Sequence, residues 1–269
     1  MVEEIHSKEA NMDEYIPINR ARKAICFPGP GSTYCDKLIE SLTANGIRYF
    51  VNKGPLSIAG YNILGKGWAS NVFLAILEGR TVAVKALKPG SRRASLLHEA
   101  AMLLAASSLA ISPRPYKYTE LFIAMQYIDG TSFIKAVEQL NAPELYYVLR
   151  RLLTKAHLLD LMGISHNELA RPHQQVLVEH GSLEPYIIDF ESATVSDTPS
   201  NLTQLVGGIT RIQKIRNKIY IDIARIRNLL KRYKYEKNNE KKAIIVNLLI
   251  KEITPIHHES THQGGKNHD

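Results

Sequence analysis

Three groups of residues have the types and spacing to handle a phosphoryl group. The first is Gly65-Lys66-Gly67-Trp68-Ala69-Ser70-Asn71-Val72, a glycine-rich turn between two expected strands. Small residues there let backbone N–H groups approach a nucleotide's phosphates. One strand later comes Val82-Ala83-Val84-Lys85, whose alternation turns the valines to one face and Lys85 to the other, beside Ala83. A lysine on an inner face is costly without a partner. Glu99 supplies one, on a helix where it shares a face with Leu96 and Leu103. Taken alone, a surface salt bridge explains this pair equally well.

The second group opens with Gly163-Ile164-Ser165-His166-Asn167-Glu168-Leu169 and closes with Gln175-Val176-Leu177-Val178. The third, Tyr186-Ile187-Ile188-Asp189-Phe190-Glu191-Ser192-Ala193, is an apolar strand ending on a carboxylate. Two acids separated by a hairpin can face one cleft, one binding Mg²⁺ and one orienting an attacking hydroxyl.

These residues need elements to position them. Residues 1 to about 22 read as a mobile polar arm, Lys23 to Phe27 as a short strand and Gly29 to Gly31 as a turn. The turn lacks the lysine and spacing of a phosphate-binding P-loop. Ser32 is placed to cap a helix with Cys35, Leu38, Ile39 and Leu42 on its apolar face, Gly46 to stop it, and Ile47 to Val51 to form the next strand. Strands are expected over Ile58 to Leu64, Asn71 to Leu77 and Thr81 to Leu87, and a helix over Ser91 to Ser107. Further strands follow near Tyr116 and over Leu121 to Tyr127, and helices predominate from Gly130. The expected organisation is an extension over 1–55, a strand-rich lobe over 56–127, a helical lobe over 128–254 and a disordered tail over 255–269.

The chain has 269 residues, 45% of them hydrophobic and 22% charged, as expected of a folded globular protein. The longest apolar stretch, Ala100 to Ile111, is about half of what a membrane-spanning helix needs, and the first residues are too polar for a signal sequence. A cytoplasmic protein without membrane contact is expected. Cys26 and Cys35 form no CxxC motif and read as buried reduced thiols, with a zinc site and a disulfide framework both set aside. The formal net charge of +8 favours anionic partners. From Arg211 to Lys251, Ile and Leu recur among Lys and Arg at helical spacing, which fits a solvated helix pair or a docking surface for RNA, a ribosomal particle or an acidic protein. The tail histidines His257, His258, His262 and His268 read as solvated.

Glycine-rich turn, lysine, helix glutamate, hinge, His-x-acid-Leu and Asp-Phe-x follow one another between Leu64 and Ala193. In that order they resemble the protein-kinase-like superfamily. More narrowly, Leu64-Gly65-Lys66-Gly67, Glu168-Leu169-Ala170-Arg171-Pro172 and Ile188-Asp189-Phe190-Glu191-Ser192-Ala193 resemble an archaeal family of predicted serine/threonine protein kinases, similar to Rio-type atypical kinases. The resemblance implies an α+β, bilobal kinase-like fold that binds Mg-ATP. Gly65, Lys66, Gly67, Ser70, Val72 and Ala83 would then border the nucleotide, and Lys85 with Glu99 would orient its phosphates. Met125 would stand as gatekeeper, and backbone groups at Gln126 and Ile128 would meet the adenine. Asp189 and Gln175 would hold Mg²⁺ or Mn²⁺, and Glu168, Lys85 and Asp189 would form the catalytic set.

The sequence departs from that pattern at Glu168, where protein kinases place aspartate, at Gln175 in place of asparagine, at Ser70 in place of a third glycine, and at Glu191 in Asp189-Phe190-Glu191. The last resembles the ending of aminoglycoside and choline phosphotransferases. No long activation loop is expected after Val195. A protein hydroxyl is the leading acceptor, with a small-molecule phosphotransferase or a nucleotide-binding ATPase scaffold as alternatives.

Overall fold

The computed structural model describes residues 15–256, in which antiparallel sheets and helices combine in a mixed α+β fold. The chain divides into two compact units. One runs to Asp129 and takes in Ile187–Ala193, and the other comprises Gly130–Tyr186 and the chain from Thr194 on.

In the first unit, strand β1 (Tyr15–Pro17), helix α1 (Arg22–Ile25), helix α2 (Thr33–Ala44) and strand β2 (Tyr49–Val51) precede the hairpin β3 (Leu56–Ile58) and β4 (Tyr61–Ile63). Strands β5 (Gly65–Lys66), β6 (Ser70–Leu77) and β7 (Arg80–Leu87), helix α3 (Leu97–Ser107), and strands β8 (Pro115–Tyr118) and β9 (Phe122–Gln126) follow. The main sheet runs β1-β2-β6-β7-β9-β8, with β5 on β6, so the residues before the glycine turn extend the sheet that carries Lys85.

The period-2 alternation of β6 and β7 sorts the sheet into two faces. Phe73, Ala75, Val82, Val84 and Ala86 join Ala24, Ile25, Leu38 and Leu42 of the two short helices in one buried cluster. The opposite set holds Lys85, with Val72 across from it on β6, and Ala83, with Met125 across from it on β9. Helix α2 begins at Ser32, whose hydroxyl accepts from the Cys35 N–H at 3.2 Å.

Several expectations need correcting. The single strand expected over Ile58 to Leu64 is a hairpin instead, because Ala59 and Gly60 take positive φ and turn the chain back, pairing β3 with β4. Lys23 to Phe27 is not a strand, because α1 occupies it, and five residues are too few to separate a period of two from one of 3.6. The Asn71 side chain fixes this turn, donating to the Ile25 and Phe27 carbonyls at 3.1 and 3.0 Å. Cys26 and Cys35 are buried as expected but are not thiols. The end of α1 and the first turn of α2 bring their Cα atoms to 5.7 Å, within bridging distance, and the two form a disulfide. Lastly, α3 starts at Leu97 rather than Ser91, because Arg93 is drawn to Glu191, donating to its carbonyl at 3.0 Å and pairing with its carboxylate at 3.2 Å.

The expected polar arm falls outside the described residues up to 14, and from Tyr15 the chain already pairs with β2. The histidine-bearing part of the expected tail, from 257, also lies outside them, whereas Pro255, expected in that tail, is the last residue of a strand that pairs with Ile219.

The second unit is organised on a long helix. Strand β10 (Gly130–Ser132) and helix α4 (Phe133–Gln139) lead into α5 (Ala142–Leu161), opened by an Asn141/Glu144 capping box. Strand β11 (Ile164–Ser165), helix α6 (Pro172–Gln175), and strands β12 (Val176–Glu179), β13 (Pro185–Ile187) and β14 (Thr194–Val195) follow. The remainder is α7 (Asn201–Ile209), α8 (Gln213–Arg216), β15 (Ile219–Ile221), α9 (Ile223–Tyr235), α10 (Asn239–Lys251) and β16 (Ile253–Pro255). Leu149, Leu152, Leu153 and Ala156 of α5 are buried, and α7 and α10 pack on that helix. Among the described residues no helix is long and apolar enough to cross a membrane.

Candidate functional site

In the first unit Lys85 is 6% exposed, and its Nζ lies 2.7 Å from Glu99 Oε1, 2.7 Å from Asp189 Oδ1 and 3.6 Å from Glu191 Oε2. The strand sets Lys85 on the face away from the valines, α3 turns Glu99 inward at 2% exposure, and a short 3₁₀ turn over Phe190–Ser192 presents the two remaining acids. Asp189 adopts φ of 63°, a left-handed backbone that costs free energy in any residue but glycine. Arg93 holds Glu191 from outside, and His98 Nε2 lies 2.7 Å from the Ala193 carbonyl, fixing the end of the segment to α3.

The charges do not balance. Burial acts to lower the Lys85 pKa, but Glu99 and Asp189 outweigh it and hold the ammonium above its ordinary value. Burial raises Glu99; Lys85 opposes the rise, Asp189 and Glu191 add to it, and the carboxyl stays above the usual range. Its second oxygen, Oε2, is buried without a hydrogen-bond partner. Oxygens of Glu99, Asp189 and Glu191 lie within 4.8 Å of one another. Hard oxygen donors in surplus over nearby cations, one of them unsatisfied, could hold a metal ion.

The glycine turn is held from beneath. Gly67 N–H donates to the Ser70 carbonyl at 2.9 Å, and Lys88, 7% exposed, donates to the Gly67 carbonyl. Burial, and then Lys66, lower the Lys88 pKa. A Cβ placed on Gly65 would meet nothing within 4 Å, so the space over that backbone is open. Lys66 lies 4.4 Å from the Phe27 ring centroid, and Trp68 is fully exposed. On β9, the Gln126 N–H is taken up by the Arg114 carbonyl at 2.8 Å, so that donor is used within the fold. Ile128 is buried at 5% exposure.

The second unit brings Glu168 and Gln175 together. Gln175 Nε2 donates to Glu168 Oε2 at 2.8 Å, Arg171 pairs with the same oxygen at 3.1 Å, and Gln175 Oε1 is buried without a partner. The loop is tied to the helices behind it. Asn201, at the start of α7, accepts from the His166 N–H at 2.8 Å and donates to the Ile164 carbonyl at 2.6 Å and to Asp160 at 2.8 Å. Asp160 also accepts from the Tyr233 hydroxyl at 3.0 Å, which links α9 to the same network. Gly208 lets α7 press on this loop, since a Cβ there would lie 2.6 Å from the Ala170 carbonyl.

Of the expected residues, Lys85, Glu99 and Asp189 meet in the first unit, and Glu168 and Gln175 meet in the second. Lys88, Arg93, Asp160 and Asn201 were not expected. Lys88 falls one residue beyond the strand alternation, and Asn201 signals itself only as a polar residue at a helix start.

No protein-family model matches the chain. The chain is 33% identical over 117 residues to uncharacterized protein MJ1211 of Methanocaldococcus jannaschii, an alignment that takes in 41% of this chain and 98% of that protein. The chain belongs to the MJ1211 family. The MJ1211 protein is itself uncharacterized, so the family establishes kinship and brings no activity with it.

Proposed function

We propose that the chain is an ATP-dependent phosphotransferase of protein-kinase-like, bilobal construction, working in the cytoplasm on a serine or threonine hydroxyl of a protein. The observation that carries this reading is Lys85 buried between Glu99 and Asp189, with carboxylate oxygens left over. A buried ion pair is a poor way to stabilise a fold, but a lysine held charged beside surplus acids is ready to exchange a carboxylate for a phosphate. On this reading Lys85 binds phosphate oxygens and Glu99 keeps its ammonium in place. Asp189, with Glu191 beside it, ligates Mg²⁺, whose chemistry when bound is to neutralise charge on the transferred group. Gly65, Gly67 and Ser70 lay backbone over the phosphates, Val72, Ala83, Met125 and Ile128 border the base, and Glu168 orients the acceptor hydroxyl with Gln175 holding its carboxylate.

A small-molecule acceptor is the second reading. Only residues 196–200 separate β14 from α7, which leaves little chain for a peptide platform. The test is transfer from γ-labelled ATP with Mg²⁺ and with Mn²⁺, comparing wild type with Asp189→Ala and Lys85→Ala. Label on serine or threonine, lost in both variants, supports the first reading. Turnover of a small hydroxyl acceptor without labelled protein selects the second. Transfer unchanged in Asp189→Ala contradicts both.

A further inference from the structure

The second unit carries a surface that phosphoryl transfer does not use. Between Arg211 and Lys251 there are thirteen Lys and Arg against three Asp and Glu. Helix α9 turns Ile226, Leu229 and Tyr233 inward and leaves Arg227, Lys231, Arg232 and Lys234 exposed. Among the described residues none of these four cations, nor Lys237 or Lys241, is in an ion pair. Where α9 ends against α10, an open groove of about 460 Å³ is lined by Arg232, Tyr235, Glu236, Lys241, Ile244 and Ile245. Tyr235 is 71% exposed and Ile244 58%, large apolar groups that a purely solvated helix face would not need to display.

We propose that the α9 and α10 surface binds single-stranded nucleic acid, with phosphates on the line of Arg227, Lys231 and Lys234 and a base stacked on Tyr235 in the groove. Unpaired cations supply the attraction for a polyanion, and each one engaged releases a counterion. Charge alone would serve an acidic protein as well. The exposed tyrosine decides between them, because every base has a face to stack and an acidic peptide does not. Stacking on an exposed side chain also disfavours a duplex, whose bases are not presented outward. Arg232 and Lys241 flank the ring to take adjacent phosphates, and the Glu236 carboxylate is placed to accept from a base amino group rather than to meet phosphate.

The test is fluorescence anisotropy of the full chain with a labelled oligouridylate of about 20 nucleotides, against unlabelled duplex RNA and poly-glutamate as competitors. Saturable binding is expected, with log K falling against log salt at about 0.7 per cation engaged. Tyr235→Ala should weaken it about tenfold without altering the salt slope, Tyr235→Phe should restore it, and Lys231→Ala with Lys234→Ala should flatten the slope. Tyr235 is exposed, so these variants keep the fold, which circular dichroism checks. Absence of binding at low salt, equal competition by poly-glutamate or duplex, or indifference to Tyr235→Ala would each overturn the proposal.

Discussion

Two buried lysines, one in each unit, show how differently the same residue can be used. Lys155 on α5 donates to the Pro185 carbonyl at 2.6 Å and to Glu184 at 2.7 Å, while Arg151 grips the same carboxylate at 2.8 and 2.9 Å. Two cations share one acid, and the Tyr186 ring lies 4.6 Å from the ammonium. Burial lowers the Lys155 pKa more than Glu184 raises it. Burial also pushes Glu184 up, but Arg151 and Lys155 outweigh that and draw it below the usual carboxylate range. The partners thus pull in opposite senses, and the close geometry fits the fully charged pair. At Lys85 the ratio is reversed, with three acids around one ammonium and an oxygen unsatisfied. A closed set of bonds holds a scaffold together; an open one leaves room for a ligand.

The contrast can be broken by mutation. Lys85→Met should lower phosphoryl transfer per folded molecule by about a hundredfold or more, as removal of a preorganised cation does. Lys155→Ala should instead keep activity per folded molecule and cost about 2 kcal/mol of unfolding free energy, because it leaves the buried Pro185 carbonyl without its donor and Glu184 with Arg151 alone. If Lys155→Ala abolished activity in folded protein, the division between scaffold and site would be wrong. Glu191→Gln sharpens the comparison from the acid side: the Mg²⁺ concentration for half-maximal transfer should rise roughly tenfold, and an unchanged metal dependence would remove Glu191 from the site.

The smallest effect concerns the second unit's buried network. His157 Nδ1 lies 2.8 Å from the Tyr233 hydroxyl, and burial, then Lys242, hold its pKa below the ordinary value. The unfolded chain then takes up a proton that the folded chain refuses, so stability falls as pH drops through about 6.5. Asp160, raised by burial, acts with the opposite sign, its contribution lost as pH climbs above 3.8 toward its folded value. Urea midpoints should therefore fall between pH 7.5 and 5.5 by the equivalent of about 1 kcal/mol, and His157→Gln should flatten that fall. An equal fall in the variant would assign it elsewhere.

Much of this was legible because it rests on short periods. Alternation in Val82 to Lys85 fixed which face the lysine takes, and the spacing of Leu96, Glu99 and Leu103 fixed where its partner sits. The disulfide was not legible, since residues nine apart are joined only once a turn brings two helix ends together. Nor was the purpose of the residues before the glycine turn: α1 and α2 cover the valine face of the sheet, and that depends on long-range pairing of β2 with β6. Glu191 was visible as a departure from a glycine, but its bond to Lys85 depends on the left-handed turn at Asp189.

The most direct measurement of the central claim is calorimetric titration of the full chain with ATP in Mg²⁺, run beside Lys85→Met. The account predicts saturable one-site binding that is lost or weakened at least tenfold in the variant. Equal binding by both proteins, or none by the wild type with or without metal, would contradict a nucleotide site built on Lys85, Glu99 and Asp189.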